Sequence, residues 1–241
     1  MTKLSVNINK IATIRNARGG YTPTLVEAAI KIQEFGGQGI TIHPRPDERH
    51  IRYQDVYDLK PVVTTEFNIE GKPIDSFMEL VLANKPEQVT LVPDAEDAIT
   101  SNAGWDTIKY QDYLTDVIKT FKEAGIRTSI FLDPNPALVE TAAKTGADRI
   151  ELYTEEYATQ YALGNLAAIN PYKETALLAI EHGLDVNAGH DLSLDNLEFF
   201  IKEIPQIAEV SIGHALISEA LYMGLENTVQ AYLRKIEVAN L

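Results

Sequence analysis

The sequence predicts an α/β fold: a closed (β/α)8 TIM barrel of eight parallel strands, in a single domain over residues 1–241, with extra helical elements in its loops. Three observations predict it. Short apolar, β-branched runs alternate with amphipathic segments along the whole chain, and that alternation implies a parallel sheet. Eight such units fit in 241 residues, a length that suits one closed barrel better than an open sheet. No linker, low-complexity tract or charge block divides them.

Residues 4–8 (LSVNI) read as the first strand, and 23–35 (PTLVEAAIKIQEF) as a helix ended by Gly36-Gly37. Residues 39–42 (GITI) form the second strand, followed by a polar loop and a short helix near 53–60. The third strand is 65–69 (TEFNI), with a helix over 74–83, and the fourth is 88–92 (QVTLV). A long connection, 93–106, leads to a helix over 107–124 that Gly125 stops. Strand five is 127–132 (RTSIFL), with a helix over 136–145 stopped by Gly146, and strand six is 149–152 (RIEL). A second long connection, 153–171, reads as irregular. A helix over 172–182 then ends at Gly183. Strand seven is 184–187 (LDVN), its helix 194–203, and strand eight 209–212 (EVSI). Ile217, Leu221, Leu225, Val229, Leu233 and Ile236 recur at helical spacing and predict one last helix with a continuous apolar stripe.

Composition limits the function classes. The chain has no cysteine, which excludes disulfides, Cys-ligated zinc, iron–sulfur clusters and a Cys nucleophile. A net charge of −14 argues against a nucleic-acid partner, which needs a basic surface. The first residues show no apolar signal-like stretch, and no apolar run approaches the ~18 residues of a membrane span, so the expectation is a cytoplasmic protein with no membrane partner.

In a barrel of this kind active-site side chains come from the C-terminal ends of the strands. Asn7, Asn9 and Lys10 follow strand one, while His43, Arg45, Arg49 and His50 follow strand two. Glu70 ends strand three and Glu151 lies on strand six. His190 and Asp191 follow strand seven, and Gly213-His214 follow strand eight. Four of the five histidines fall at such ends; the fifth, His182, closes a helix and reads as structural. Barrel closure would gather His and Glu on one rim, a set suited to general acid–base chemistry. Arg45, Arg49 and His50 suit a phosphate, although the interleaved Asp47 and Glu48 fit a solvated charged turn equally well. Gly213-His214 opens the last helix, where backbone amides could meet a second phosphate or simply make a tight turn. Two phosphate sites about one acid–base cluster imply two small phosphorylated substrates, or one bisphosphate. Two other readings stay open. One is a metal-dependent epimerase or aldolase ligated through His43, Glu70, Glu151 and His190. The other is a non-catalytic sensor of a phosphorylated ligand.

Five ordered segments carry a resemblance: VNINKIATIRNARG (6–19), GITIHPRPDERHI (39–51), EFNIE (66–70), VNAGHDLS (186–193) and IGHALI (212–217). Together they resemble the pyridoxine 5′-phosphate synthase family, end to end. The resemblance implies a (β/α)8 barrel that condenses 1-deoxy-D-xylulose 5-phosphate with 3-amino-2-oxopropyl phosphate. The products are pyridoxine 5′-phosphate, phosphate and water, a step of vitamin B6 biosynthesis needing no metal or organic cofactor. Carried over by motif, His43 and Glu70 would be general bases and His190 a general acid, with Glu151 a further polar group of the site. Arg45, His50 and Thr100 would hold the deoxyxylulose phosphate. Asn7, Arg18, the backbone at Asp191 and the Gly213-His214 pair would hold the aminoketone phosphate. The family's usual pattern has Asp-His where this chain has Asn9-Lys10, and Gly where it has Asp191. Lys10 would keep a donor toward the deoxyxylulose phosphate, and the Asp191 carboxylate would have to point away from any phosphate. The resemblance also implies a homo-oligomer, usually an octamer, with 153–171 as a candidate interface. A loop that excludes water from an imine is expected, with 93–106 as the candidate.

Overall fold

A computed structural model of the chain describes residues 1–93, 103–204 and 206–241. Eight strands close into one barrel in chain order: β1 (Lys3–Asn7), β2 (Gly39–Ile42), β3 (Glu66–Gly71), β4 (Gln88–Leu91), β5 (Arg127–Leu132), β6 (Arg149–Tyr153), β7 (Asp185–Gly189) and β8 (Ile207–Ile212). Every neighbouring pair is parallel, and β1 pairs with β8 in register Lys3 to Glu209 through Val6 to Ile212. The predicted fold class is therefore the observed one.

Side chains alternate across each strand. Leu4 and Val6, Ile40 and Ile42, Phe67 and Ile69, and their counterparts on the other strands are fully buried in the apolar core. Each such Leu or Ile contributes about 1.5–3 kcal/mol by leaving water. The intervening positions form a polar interior, where this fold more often packs Val, Ile and Leu. Ser5 meets Thr41 at 2.7 Å, and Asn68 donates to Thr41 at 3.3 Å. The Thr90 hydroxyl reaches Asn68 at 3.1 Å and Glu151 at 3.4 Å. The period-two polarity follows directly from strand geometry. Barrel closure turns it into one connected network.

The helical layer holds α1 (Asn9–Asn16), α2 (Leu25–Glu34), α3 (Tyr53–Leu59), α4 (Asp75–Asn84), α5 (Gln111–Glu123), α6 (Val139–Lys144), α7 (Glu155–Ala162), α8 (Asn170–Glu181), α9 (Leu197–Glu203), α10 (His214–Met223) and α11 (Leu225–Ala239). At the start of α2, the Thr24 hydroxyl accepts the Glu27 N–H at 3.2 Å, a cap worth about 1 kcal/mol. Several expected boundaries move. The single last helix is two, because Gly224 at φ +80 ends α10 and starts α11. The predicted stripe is broken with it: Leu221 is 71% exposed, whereas Val229 and Ile236 are buried. The stretch expected to be irregular contains α7 and a 3-10 turn, Leu166–Ile169. Tyr157 of α7 is buried against Tyr172 and Phe200, at ring distances of 5.8 and 5.0 Å.

Helix α1 is also absent from the sequence reading. Its apolar face is short: only Ile11, Ala12 and Arg15 are buried. It is held instead by polar contacts, with Arg15 donating to Asp55 at 2.5 and 2.9 Å and to the His50 carbonyl at 3.0 Å. No helix is long and apolar enough to cross a membrane among the described residues.

Candidate active site

A cavity of about 400 Å³ opens at the C-terminal end of the barrel. Strand ends on all sides supply it: Asn7, Asn9 and Lys10 at β1, His43, Arg45 and His50 at β2, and Glu70 at β3. Glu151 lines it from β6, His190 and Asp191 from the end of β7, and Gly213 and His214 from the start of α10. Twelve of the fifteen candidate residues singled out from the sequence thus line one cavity; Arg49, exposed in the β2 loop and bonded to Asp47, does not. Arg18 does not; it is exposed on the turn after α1. Thr100 lies outside the described residues, as does most of the loop expected to close. The far end of that loop is tied to β5 and β4: Trp105 N–H donates to the Phe131 carbonyl at 2.9 Å, and its indole N–H to Leu91 at 3.1 Å. His182 caps the end of α8, away from the cavity.

The β2 loop is positioned by α1. Besides the Arg15 contacts, Asn16 donates to the carbonyls of His50 at 2.8 Å and Arg49 at 3.2 Å. Asn9 accepts the backbone N–H of His43 at 2.9 Å through its side-chain oxygen, and Asn7 caps Asn9 at 3.0 Å. Asn9 therefore orients the His43 backbone, a role its place in the motif did not suggest. Asn7 also donates to Glu70 at 3.4 Å.

Burial separates the proton affinities of the set. His43 is buried, and desolvation first, then the charges of Arg45 and His50, hold its imidazole well below the usual range. It is neutral at pH 7 and free to accept a proton. His50 is pushed down to about 4 by burial and then by Arg45 and Lys10. Its Nδ1 accepts the Ile51 N–H at 2.8 Å, so in the neutral ring the hydrogen sits on Nε2 as a donor. Glu151 moves the other way. Burial raises its carboxyl to about 7, against the Thr90 hydrogen bond and the charge of His190, which favour ionisation. Gly189 makes room for this carboxyl: a Cβ there would collide with Glu151 Oε1.

Lys10, Arg45 and His50 share the cavity and form a cationic and donor-rich side. Across it, α10 starts at Gly213 with no side-chain cap, so its first amides remain available to an anion. The Asp191 amide is not available in the same way, because it donates to Thr154 Oγ1 at 3.2 Å. The carboxylate of Asp191 turns to His190 Nδ1, at 2.5 Å. Both polar groups of Asp191 that could face a phosphate thus have partners within the protein.

The sequence reading missed Val92, Phe131, Tyr153, Glu155 and Ser211, which also line the cavity. Val92, Phe131 and Tyr153 form a small apolar cluster separate from the main core. Their signal was the strand alternation, since Phe131 lies two residues after Ser129 and Tyr153 two after Glu151.

The family described as "Pyridoxal phosphate biosynthesis protein PdxJ" matches residues 4–238. The chain belongs to the PdxJ family. Among its relatives, a protein of Flavobacterium johnsoniae named pyridoxine 5′-phosphate synthase is 68% identical over 98% of this chain and 100% of its own length. A protein of Bacteroides thetaiotaomicron with the same name is 61% identical over 96% of this chain and 98% of its own. Membership in the PdxJ family makes the chain an enzyme. Solved structures share the fold at low identity. Thiamine phosphate pyrophosphorylase from Pyrococcus furiosus has a TM-score of 0.64 at 12% identity, covering 98% of this chain and 96% of its own. N-(5′-phosphoribosyl)anthranilate isomerase from the same organism has a TM-score of 0.63 at 13% identity, covering 98% and 99%. At that distance they speak for the barrel alone.

Proposed function

We propose that the enzyme condenses 1-deoxy-D-xylulose 5-phosphate with 3-amino-2-oxopropyl phosphate to pyridoxine 5′-phosphate, phosphate and water. The observation that carries this reading is the arrangement of one proton-transfer set between two anion sites. Lys10, Arg45 and His50 receive the deoxyxylulose phosphate. The α10 N-terminus, with Asn7 and His214, receives the aminoketone phosphate. Between them the amine attacks a ketone to give a Schiff base. Dehydration, loss of the deoxyxylulose phosphate, ring closure and aromatisation follow, and each step moves protons.

The residues are suited to those moves. Neutral His43 and the Glu70 carboxylate accept protons, and His190 delivers them. Glu151, with its affinity raised to about 7, keeps a proton in the cavity near neutral pH. The apolar cluster of Val92, Phe131 and Tyr153 offers a surface to a flat ring.

The deciding experiment is turnover with both substrates and detection of pyridoxine 5′-phosphate; a pure, folded protein that forms none overturns the reading. A metal-dependent reaction would need His43, Glu70, Glu151 and His190 as ligands. Among the described residues no three His, Asp or Glu side chains gather as a metal-ligand cluster. Activity is expected to survive exhaustive chelation. Loss with EDTA and recovery with a divalent ion would favour the metal reading.

A further inference from the structure

The turn after β7 holds His190 in a way that the carried-over roles leave unused. His190 has φ +97, a left-handed backbone that favours glycine. The turn is pinned on both sides of it. The buried Thr154 donates its hydroxyl to the Gly189 carbonyl at 2.8 Å and accepts the Asp191 N–H at 3.2 Å. Asn196 donates to the Asp191 carbonyl at 3.2 Å, and itself accepts the Ser193 N–H at 2.8 Å. A strained conformation persists only where its surroundings enforce it, and here four hydrogen bonds do so. The imidazole is fixed as well. Asp191 Oδ2 lies 2.5 Å from Nδ1, and the Tyr153 ring meets the imidazole nearly edge-on, 77° between planes at 5.4 Å. The Tyr153 hydroxyl donates in turn to Glu155 Oε2 at 2.5 Å.

We propose that Asp191 is a positioning residue for proton transfer by His190, forming a His–Asp pair that takes the place of a backbone phosphate contact. The proposal rests on the reading of His190 as proton donor given above. A carboxylate offers only acceptors, so the hydrogen in the pair belongs to Nδ1 and the exchanging nitrogen is Nε2. The negative charge stabilises the imidazolium that must exist before a proton is delivered. The other groups facing the ring do not duplicate this. Tyr153 packs nearly perpendicular to the imidazole, neutral His43 adds no charge, and Glu151 lies in the same cavity with its affinity raised to about 7. The same carboxylate repels an anion. A phosphate is therefore directed to the α10 N-terminus, where Gly213 and His214 line the cavity.

The test uses the full chain with 15N-labelled histidine, with and without D191N, and needs no substrate. Asn keeps the shape and an accepting oxygen but removes the charge. The expected result is an Nδ1–H tautomer for neutral His190 in the wild type, and a titration midpoint lower by about one pH unit or more in D191N. D191G, which removes the whole side chain, should show the same downward shift if D191N does not fold. In turnover assays kcat should fall about tenfold or more, in step with that shift, while KM for the aminoketone phosphate stays constant or falls. An unchanged midpoint in the folded variants overturns the pair. A moved midpoint with unchanged kcat and pH profile overturns its part in catalysis. A wild type that makes no pyridoxine 5′-phosphate counts against the proposed function, and the titration still decides whether the pair exists.

Discussion

The two ends of the barrel interior both bury ionisable groups, with opposite results. At the N-terminal end Glu66, Arg149 and Glu209 are buried together. Arg127 donates to Glu66, and Arg149 lies 3.7 Å from Glu66 and 3.9 Å from Glu209. Burial would raise Glu66, but a hydrogen bond from Glu209 and the charges of Arg127, Arg149 and Lys3 hold it below its ordinary value. Burial and then the neighbouring Glu66 push Glu209 well up, so it keeps a proton to donate. At the C-terminal end the same burial drives His43 down and Glu151 up to about 7. Charge that is paired inside a protein becomes structure. Ionisable groups buried at a cavity without a close counter-charge keep their neutral forms instead, which leaves His43 unprotonated and brings Glu151 near neutral pH.

Breaking the paired end should cost the most. Arg149→Ala leaves Arg127 and Lys3 on Glu66 but removes the buried guanidinium that lies between Glu66 and Glu209 and donates to Gln88 and Asn187, and it is expected to lose about 3 kcal/mol of stability, read from denaturant midpoints. An equally stable variant would show that the cluster is not paired as described.

At the other end the effect should fall on rate. Glu70→Gln keeps shape and hydrogen bonding but cannot take a proton, so kcat should drop at least ~10²-fold with little change in unfolding. Wild-type turnover would remove Glu70 from the chemistry. Lys10→Ala should act on binding. It is expected to raise KM for 1-deoxy-D-xylulose 5-phosphate roughly 10- to 100-fold, as for a lost charge-assisted hydrogen bond. KM for the aminoketone phosphate should barely move, and the reverse pattern would put Lys10 at the other anion site.

The smallest effect sharpens the comparison through pH. The Glu151 carboxyl titrates near 7 folded and near 4.5 unfolded, so the folded chain binds its proton more tightly. Its contribution to stability is full below pH 4.5 and is lost as pH rises through 7. His43 and His50, both held low, act in the opposite direction, and Glu151→Gln leaves them in place. From pH 5 to 8 the variant should gain about 2 kcal/mol relative to the wild type. A constant difference in denaturation midpoints would show that Glu151 ionises normally.

The site was legible in proportion to how local its signals were. His43, Glu70 and Gly213-His214 follow strands directly, so strand order alone places them on one rim. Phe131 and Tyr153 carry only an alternation signal and read as ordinary strand residues until the barrel closes. Helix α1 escaped because three buried residues make no apolar face, and what holds it is an ion pair to Asp55, forty positions away.

By itself the sequence determined the order of strands and helices, the barrel they close into and the end at which the reactive side chains gather. Those features rest on periodicities of two and 3.6 residues and on glycine stops, all of which act within one element. Tertiary structure alone decided that Asn9 serves the His43 backbone, that Asp191 turns to His190, and that Glu151 holds its proton to about pH 7. Those depend on desolvation and on partners from other strands, such as Thr90 for Glu151 and Thr154 for the Asp191 amide. Neither exists until the ring of eight strands is complete, because burial and proton affinity are properties of the surroundings rather than of the residue.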